Sequence, residues 1–252
     1  MKFVVLIPAR YESSRFPGKP LAKIGGEEMI IRVCRQVEKT GLPLAVATDN
    51  DLIAQTVRNA GFDAVMTASS HRSGTERVEE AYRNLRSDAD VIINVQGDEP
   101  FIDPRQILSL SDIFKNNPDT EIATLARPFD PALGFDALQD PNLVKVVMSE
   151  QGRALYFSRS VIPFVRNTPT QIWLEKVQYY SHIGIYAYRA SALSKIVSLP
   201  PAPLETVESL EQLRWLQNGL VINVGISSFP TIGIDTPQDL ENAEKFLKNF
   251  SN

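Results

Sequence analysis

Apolar runs alternate with amphipathic segments through the first half of the chain, and this alternation limits the possible folds more than any other feature. Nearly uninterrupted apolar runs are typical of strands that are buried on both faces of a sheet, and apolar residues at helical spacing are typical of helices that cover such a sheet. The sequence predicts strands at residues 3–7, 44–47, 64–66 and 91–95, and helices at residues 28–39, 51–60, 75–85 and 104–115. Consecutive strand–helix units predict an α/β fold with a doubly wound, mostly parallel sheet and right-handed crossovers.

The pattern changes after about residue 120, where strands follow one another with few helices between them. The sequence predicts strands at residues 122–126, 144–148, 154–157, 183–188 and 221–226, helices at 190–197, 206–217 and 237–248, and an exposed arm or loop at 163–178. We interpret the later strands as a small mixed β extension of the first sheet. Because no repeat or linker interrupts the chain, the prediction is one domain over residues 1–252, with an inserted lobe at about 120–190.

Composition and charge exclude several classes of protein. The chain has 252 residues, of which 43% are hydrophobic and 22% charged, as in an ordinary globular protein. A net charge of −4 argues against binding to nucleic acid. No apolar run reaches the roughly 18 residues of a membrane span, and Arg10 and Glu12 interrupt the first run too early for a signal peptide. We therefore expect a cytoplasmic protein that binds neither nucleic acid nor a membrane.

The single cysteine, Cys34, lies in the apolar stripe of the first predicted helix. It can form no internal disulfide, and no cluster of cysteine and histidine offers a zinc site. We expect a buried structural residue rather than a catalytic thiol.

The loop after the first predicted strand, residues 8–20, carries the cations Arg10, Arg15 and Lys19 together with two serines and a glycine. In open parallel sheets, ligands bind beyond the carboxyl ends of the strands, and arginine and lysine are the usual partners of phosphate oxygens. This placement favours a nucleotide phosphate site over a solvated basic loop. We expect Lys19 to be an exposed residue of this loop. The glycine-rich motifs of dinucleotide dehydrogenases and of phosphate-loop kinases are both absent from the sequence.

Asp98 follows the predicted strand 91–95 and should face the same crevice. Asp103 already has the position of a cap for the next helix, so Asp98 has no capping role. A carboxylate in this position suits Mg²⁺, which commonly takes one or two carboxylates together with substrate phosphates. Glu99 is the nearest alternative ligand.

Asp235 precedes the last predicted helix, after what we interpret as the end of a strand. Thr236 has the position of the helix N-cap, Pro237 the first turn, and Asp239 completes a pair similar to a capping box. Asp235 is therefore also free of a capping role.

The predicted strand 183–188, with the histidine before it, alternates polar and small residues at even positions from His182 to Tyr188 with apolar residues at odd positions. One face should pack inward, and the other either lines a pocket or is simply half exposed. Glu211 lies four residues after Val207 on the predicted helix 206–217 and should share its face.

Seven sequence blocks follow one another in an order that resembles the Kdo cytidylyltransferases, or CMP-Kdo synthetases, where Kdo is 3-deoxy-D-manno-octulosonate. They are IPARYESSRFPGKPL at 7–21, SGTER at 73–77, NVQGDEP at 94–100, ALYFSR at 154–159, HIGIYAYR at 182–189, LEQLR at 210–214 and GIDTPQDLE at 233–241. The blocks span nearly the whole chain, although Phe16 stands where leucine is usual.

The resemblance implies transfer of CMP from CTP to Kdo, with release of pyrophosphate, in a homodimer that serves lipopolysaccharide synthesis. It implies that Arg10, Lys19, Asp98 and Asp235 are catalytic, and that Asp98 and Asp235 hold Mg²⁺. It implies a nucleotide site of Ala9, Arg10, Ser14, Arg15, Lys19, Ser73, Gly74 and Arg77. It implies a sugar site of Gln96, Arg159, His182, Tyr186 and Glu211.

Three alternatives stay open on the sequence. The first is a cytidylyltransferase for another acidic sugar, such as sialic acid. The chain could instead be a non-catalytic nucleotide-binding regulatory protein, although such a protein is expected to lack Lys19, Asp98 or Asp235, and all three are present. Arg77 could be an ordinary arginine on a helix surface.

Overall fold

The structure is a computed structural model that describes residues 1–12, 16–230 and 233–250. The strands, in chain order, are β1 (Phe3–Ala9), β2 (Lys23–Ile24), β3 (Glu27–Glu28), β4 (Leu44–Thr48), β5 (Asp63–Met66), β6 (Val91–Asn94), β7 (Ile122–Pro128), β8 (Lys145–Met148), β9 (Ala154–Ser158), β10 (Tyr180–Arg189) and β11 (Ile222–Ile226). The helices are α1 (Met29–Glu38), α2 (Asp51–Asn59), α3 (Gly74–Asn84), α4 (Pro104–Asn116), α5 (Gly134–Gln139), α6 (Trp173–Lys176), α7 (Ala190–Ser198), α8 (Pro203–Glu208), α9 (Gln212–Gln217) and α10 (Pro237–Phe250).

The central sheet has the strand order β11–β7–β10–β6–β1–β4–β5. β1 pairs in parallel with β4 and β6, β4 with β5, and β11 with β7, whereas β10 lies antiparallel between β6 and β7. The predicted α/β class with a mostly parallel sheet is confirmed. The chain passes from β5 through α3 to β6, on the other side of β1, so the strand order reverses between β1 and β6.

Helices cover both faces of the sheet, and the alternating side chains of β1 show how. Val5 and Ile7 point into a core that α1, α2 and α4 complete, while Val4 and Leu6 point into a second core with α3, α7 and α9. This burial on both faces explains why β1 reads as one unbroken apolar run. Cys34 is buried in the first core, as predicted.

The capping residues define where the major helices begin. Asn50 caps α2, and Ser73 caps α3 by accepting a hydrogen bond from the backbone of Glu76. Asp103 forms a capping box with Gln106 at the start of α4. The predicted capping role of Asp103 is therefore confirmed, and each cap satisfies an amide that the helix itself leaves unpaired.

The predicted helix at residues 206–217 is wrong, because two short helices stand in its place. α8 ends at Glu208, and the next residue, Ser209, has a left-handed φ of 52°. The turn packs Leu210 into the second core and leaves Val207 84% exposed, so Glu211 does not share a face with Val207. Burial of Leu210 favours the break over a continuous helix.

The region at about 120–190 combines parts of the central sheet with elements outside it. β7 and β10 are strands of the sheet, while the residues from 129 to 179 include a separate small core of Phe129, Leu138, Trp173 and Tyr179. α6 lies inside the segment that the sequence predicted as an exposed loop, and Trp173 within it is buried. Short elements such as α5, α6 and the β2–β3 hairpin have too few residues to show a periodicity.

Across the three stretches that the structure describes, no helix is both long enough and apolar enough to cross a membrane.

Candidate active site

The carboxyl ends of β1 and β6 meet at the point where the strand order reverses, which is the usual ligand crevice of an open α/β sheet. The loop after β6 crosses directly behind the end of β1. A Cβ atom on Gly97 would lie 2.7 Å from the carbonyl oxygen of Pro8, so a larger residue would force the two loops apart. This close approach places Asp98 beside the first loop.

Lys19 joins the first loop to the two aspartates. Its Nζ atom lies 2.6 Å from Oδ2 of Asp98 and 3.1 Å from Oδ1 of Asp235. Gly18, with a φ of 71°, turns the chain just before it. The Lys19 side chain is only 13% exposed. The prediction of an exposed loop lysine is therefore wrong, because the two carboxylates draw the ammonium into the crevice.

Asp235 reaches this crevice through its backbone and its helix cap. The amide of Ile234 donates to the carbonyl oxygen of Asp98 at 3.0 Å. Thr236 and Asp239 form the predicted capping pair at the start of α10, with a bond of 2.9 Å from the Thr236 amide to the Asp239 carboxylate. The strand that we expected before Asp235 includes residue 232, outside the described residues, and residues 233 and 234 are not in a strand.

A third carboxyl group, Glu99, lies close to the pair. Burial raises the pKa of Glu99 to about 8, and the negative charges of Asp98 and Asp235 add to the shift. Its Oε2 atom is buried and has no hydrogen-bond partner among the described residues. This corner of the crevice therefore concentrates acidic oxygens around a single ammonium.

Asp98 and Asp235 are the residues of this crevice that could contribute ligands to Mg²⁺. Within the described residues, no group of three or more acidic, histidine or cysteine side chains is arranged to hold a metal ion alone. Asp98 and Asp235 nevertheless present hard oxygen ligands, and Mg²⁺ usually completes its coordination with water and substrate phosphates. The pair therefore fits Mg²⁺ bound together with a nucleotide.

A cavity of about 290 Å³ opens beside Lys19. The predicted site residues that line it are Ala9, Arg10, Lys19, Ser73, Gly74, Arg77, Gln96, Asp98 and Asp235. Ser14 and Arg15, which we also predicted for the nucleotide site, lie outside the described residues. The amino-terminal end of α3 faces this cavity through Ser73, and such helix ends favour anions.

Arg77 is buried and fixed by hydrogen bonds instead of lying exposed on a helix surface. It is 3% exposed, and its guanidinium donates to Asp49 at 2.7 Å and to Thr67 at 2.6 Å. The reading of Arg77 as an ordinary surface arginine is therefore wrong. A neighbouring cavity of about 550 Å³ shares Arg10 and Arg77 with the first.

His71 lines both cavities and was missed in the sequence analysis. Its ring contacts Glu80 and lies 3.8 Å from Glu76, so two carboxylates of α3 hold it over the cavity. The same carboxylates accept hydrogen bonds from the amides of Ala68 and Arg72. The spacing of two glutamates four residues apart on one helix face was the available signal.

The residues predicted for the sugar site are spread over a larger part of the structure than those predicted for the nucleotide site. Gln96 lines the main cavity, whereas Arg159 lies at another cavity of about 470 Å³. The Arg159 guanidinium donates to the backbone carbonyls of Glu208 at 2.7 Å and Pro141 at 2.8 Å. The structure therefore separates Arg159 from the nucleotide-side residues.

β10 carries His182 and Tyr186, and both of its faces contribute to cores. The apolar face packs inward as predicted, but Tyr186 is only 7% exposed and stacks near Tyr188 and Trp215. Tyr188 on this face is buried as well, whereas Gly184 is exposed, so the face is buried toward the end of β10 and open nearer its start. Burial raises the pKa of Tyr186 and lowers the pKa of His182 to about 3, so the imidazole is neutral at pH 7. Nε2 of His182 lies 3.0 Å from the hydroxyl of Thr124.

Glu211 directly precedes α9 and contacts the amino-terminal turn of α3. Its carboxylate accepts hydrogen bonds from Ser73 and Thr75 and forms an ion pair with Arg214 at 2.7 Å. Burial raises the pKa of Glu211, and the hydrogen bond from Thr75 opposes that shift. Glu211 therefore links the sugar-side prediction to the helix that faces the nucleotide cavity.

Comparison with known proteins identifies the family. A family model described as "Cytidylyltransferase" matches residues 4–224. A 3-deoxy-manno-octulosonate cytidylyltransferase from Bacteroides thetaiotaomicron is 52% identical over 251 residues, which cover 100% of both chains. The chain belongs to the 3-deoxy-manno-octulosonate cytidylyltransferase family. A member from Phocaeicola vulgatus is 53% identical over 248 residues and covers 98% of each chain.

Solved structures agree with membership of the Kdo cytidylyltransferase family. A CMP:2-keto-3-deoxy-manno-octonic acid synthetase complexed with CTP has 40% sequence identity and a TM-score of 0.90, over 99% of this chain and 100% of that chain. A 4-diphosphocytidyl-2C-methyl-D-erythritol synthase from Anaerococcus prevotii has a TM-score of 0.62 at 13% identity. The second likeness concerns the fold alone.

Proposed function

We propose that this protein transfers CMP from CTP to Kdo and releases pyrophosphate. The observation that carries the proposal is the convergence of Arg10, Lys19, Asp98 and Asp235 on one cavity at the switch point of the sheet, in a chain that belongs to the Kdo cytidylyltransferase family. Lipopolysaccharide assembly is the role that this family implies for the product.

In this reaction the anomeric hydroxyl oxygen of Kdo attacks the α-phosphorus of CTP. A new bond forms between that oxygen and phosphorus, and the bond to the bridging oxygen of the β-phosphate breaks. Pyrophosphate leaves with the electron pair, and the hydroxyl proton is released to water. Phosphoryl transfer needs positioning and charge stabilisation more than covalent chemistry from the protein. Arg10 and Lys19 line the cavity and would neutralise the charge on the departing pyrophosphate.

Asp98 and Asp235 are the residues that would hold Mg²⁺, and we propose that the reaction depends on it. When bound, Mg²⁺ would supply positive charge and would lower the repulsion between the anionic nucleotide and the anionic sugar acid. The Lys19 ammonium lies between the two carboxylates, and in the proposed reaction it would donate to a phosphate oxygen of the nucleotide.

The amino-terminal end of α3 and the side chains of Ser73 and Arg77 form the proposed nucleotide wall, with Ser14 and Arg15 of the first loop as further predicted contacts. Gln96, His182, Tyr186, Glu211 and Arg159 are proposed for the sugar. His182 is neutral at pH 7, so it would act there as a hydrogen-bonding group and not as a cation.

A cytoplasmic location remains a prediction from the sequence pattern, and a homodimer remains a prediction from the family resemblance. CTP and an activated sugar acid are cytoplasmic metabolites in this proposal, and the dimer contact is predicted in the region at about 120–190. Light scattering of the purified chain tests the dimer, with a mass near twice the 28.1 kDa of the chain as the expected result.

The decisive experiment measures pyrophosphate release with CTP, Kdo and Mg²⁺ together and with each omitted in turn. We expect release only with all three, poor use of ATP and GTP, and slower turnover of sialic acid than of Kdo. Faster turnover of sialic acid would replace the proposed sugar. Equal rates with all four nucleotides would contradict the selection of cytidine, and no release with any sugar acid would favour a regulatory nucleotide-binding protein.

A further inference from the structure

The carboxylate of Glu211 is fixed by donors from two different parts of the fold. Its Oε1 atom accepts from Ser73 Oγ at 3.2 Å and from Arg214 Nη2 at 2.7 Å. Its Oε2 atom accepts from Thr75 Oγ1 at 2.7 Å. Within the residues that the structure describes, Thr75 is the one hydrogen-bond donor to Oε2, and its bond joins positions 136 residues apart in the chain.

We propose that Thr75 is a positioning residue that orients the Glu211 carboxylate toward the sugar acid. The inference rests on the proposed function, in which Glu211 belongs to the sugar site. It assigns a role to a hydroxyl that neither the sequence analysis nor the proposed sugar and nucleotide sets include.

The secondary structure around Thr75 does not account for its hydroxyl. The cap of α3 is Ser73, whose side chain already satisfies the amide of Glu76. A threonine hydroxyl one residue inside the helix is not needed for capping, and a β-branched residue there is slightly unfavourable for a helix. The Thr75 side chain is nevertheless buried, with 3% of the residue exposed, so its hydroxyl requires a hydrogen-bond partner.

Glu211 lies at the amino-terminal end of α9, so hydrogen bonds from other residues are needed to fix the orientation of its side chain. It stands between the left-handed Ser209 and the start of α9, outside a regular helix. Arg214 divides its guanidinium between Glu211, Glu205 at 3.5 Å and the carbonyl oxygen of Leu199 at 3.2 Å. If Oε2 of Glu211 had no hydrogen-bond donor, the carboxylate would lose the fixed geometry that recognition of a sugar hydroxyl requires.

The same contact connects the two substrate sites. Ser73 lines the nucleotide cavity, and Thr75 follows it by two residues on α3. Both side chains donate to Glu211, so a residue proposed for the sugar site is bonded to the helix that borders the nucleotide cavity. Loss of the Thr75 hydroxyl leaves Ser73, Gly74 and Arg77 in place. Its effect should therefore fall on the sugar acid and spare CTP.

The test compares Thr75→Val, which keeps the shape and removes the hydroxyl, with Thr75→Ser, which keeps the hydroxyl and removes the methyl group. We expect Thr75→Val to lower kcat/KM for Kdo by roughly tenfold or more, the scale of one lost hydrogen bond to a buried charged group. KM for CTP should stay within about twofold of the wild-type value, and Thr75→Ser should retain most of the activity.

Two results of these kinetics would overturn the inference. Wild-type kinetics for Thr75→Val would show that the hydroxyl has no role. Equal damage in both variants would show that the methyl group matters, and so a packing role instead of a positioning one.

A second measurement does not depend on turnover. The hydrogen bond from Thr75 opposes the raised pKa of Glu211, so its loss in Thr75→Val should raise that pKa further, while Thr75→Ser should leave it close to the wild-type value. Carbon-13 NMR of labelled glutamate carboxyls follows this titration, with Glu211→Gln to assign the signal. The titratable and charged groups that face Glu211 are Arg214, Glu205 and the buried tyrosines Tyr186 and Tyr188 of β10. An unchanged pKa in Thr75→Val would overturn the inference even if Kdo proved to be the wrong substrate.

Discussion

The ammonium of Lys19 lies between two carboxylates, 2.6 Å from Asp98 and 3.1 Å from Asp235. These three residues come from the first loop, the loop after β6 and the segment before α10. The contact places one positive charge where the proposed function requires Mg²⁺ and phosphate to meet. Lys19 therefore holds the carboxylates together and, in the proposed reaction, exchanges that contact for one with the nucleotide.

Replacing Lys19 with alanine should lower kcat by roughly two to three powers of ten, because the charge on the departing pyrophosphate loses a donor. Lys19→Arg keeps the charge and should retain more activity. Steady-state pyrophosphate release measures both variants. Near-normal turnover of Lys19→Ala would mean that the first loop does not stabilise the phosphates.

The same variant should show a changed response to Mg²⁺ in thermal unfolding. Without the ammonium, Asp98 and Asp235 repel each other, so added Mg²⁺ should raise the Tm of Lys19→Ala more than that of the wild type. Equal shifts in the two proteins would argue against a metal bound by this pair.

Asp98→Asn and Asp235→Asn should each reduce turnover by at least about a hundredfold, or roughly 3 kcal/mol of barrier. Because the two carboxylates are proposed to share one ion, the double variant should be scarcely slower than the worse single variant. Asp112→Asn is the matched control, since Asp112 is 59% exposed and pairs with Lys115 on the surface of α4. Strictly additive losses would mean that the two aspartates act separately.

His182 should make the fold less stable in acid. Burial lowers its pKa to about 3, whereas an unfolded histidine titrates near 6.5. The unfolded state therefore takes up the proton first, and the free energy of unfolding falls as pH drops below about 6.5. Between pH 7.5 and pH 5 the wild type should lose about 2 kcal/mol more than His182→Gln. Urea unfolding at the two pH values gives the comparison, and parallel losses would show that His182 is not held neutral.

Cys34 should resist thiol reagents in the folded protein. It is fully buried, and burial raises its pKa to about 12. Only the thiolate reacts readily, so an aromatic disulfide reagent at pH 8 should modify it at the rate of unfolding. Addition of urea beyond the unfolding transition should release one thiol per chain, while rapid modification under native conditions would contradict the burial of α1 against the sheet.

The local sequence was enough to predict most of the secondary structure and the part of the site formed by the first loop and Asp98. The apolar run of β1 and the spaced apolar positions of α1 can be recognised in the sequence, because burial on one or both faces leaves a characteristic pattern of apolar residues. Asp103 could be assigned to a helix cap, which left Asp98 for the crevice. The loop with Arg10 and Lys19 could be placed at the end of a strand, because it directly follows the apolar run of β1.

Tertiary structure alone decided which distant groups meet. No local period indicates that Lys19 lies between Asp98 and Asp235, that Asp49 holds Arg77, or that Thr75 donates to Glu211 across 136 positions of the chain. The break at Ser209 also escaped prediction, since packing of Leu210 outweighs the helical pattern of residues 206–217. A sequence pattern reports the environment of neighbouring residues, whereas contacts between loops depend on how the whole sheet is assembled.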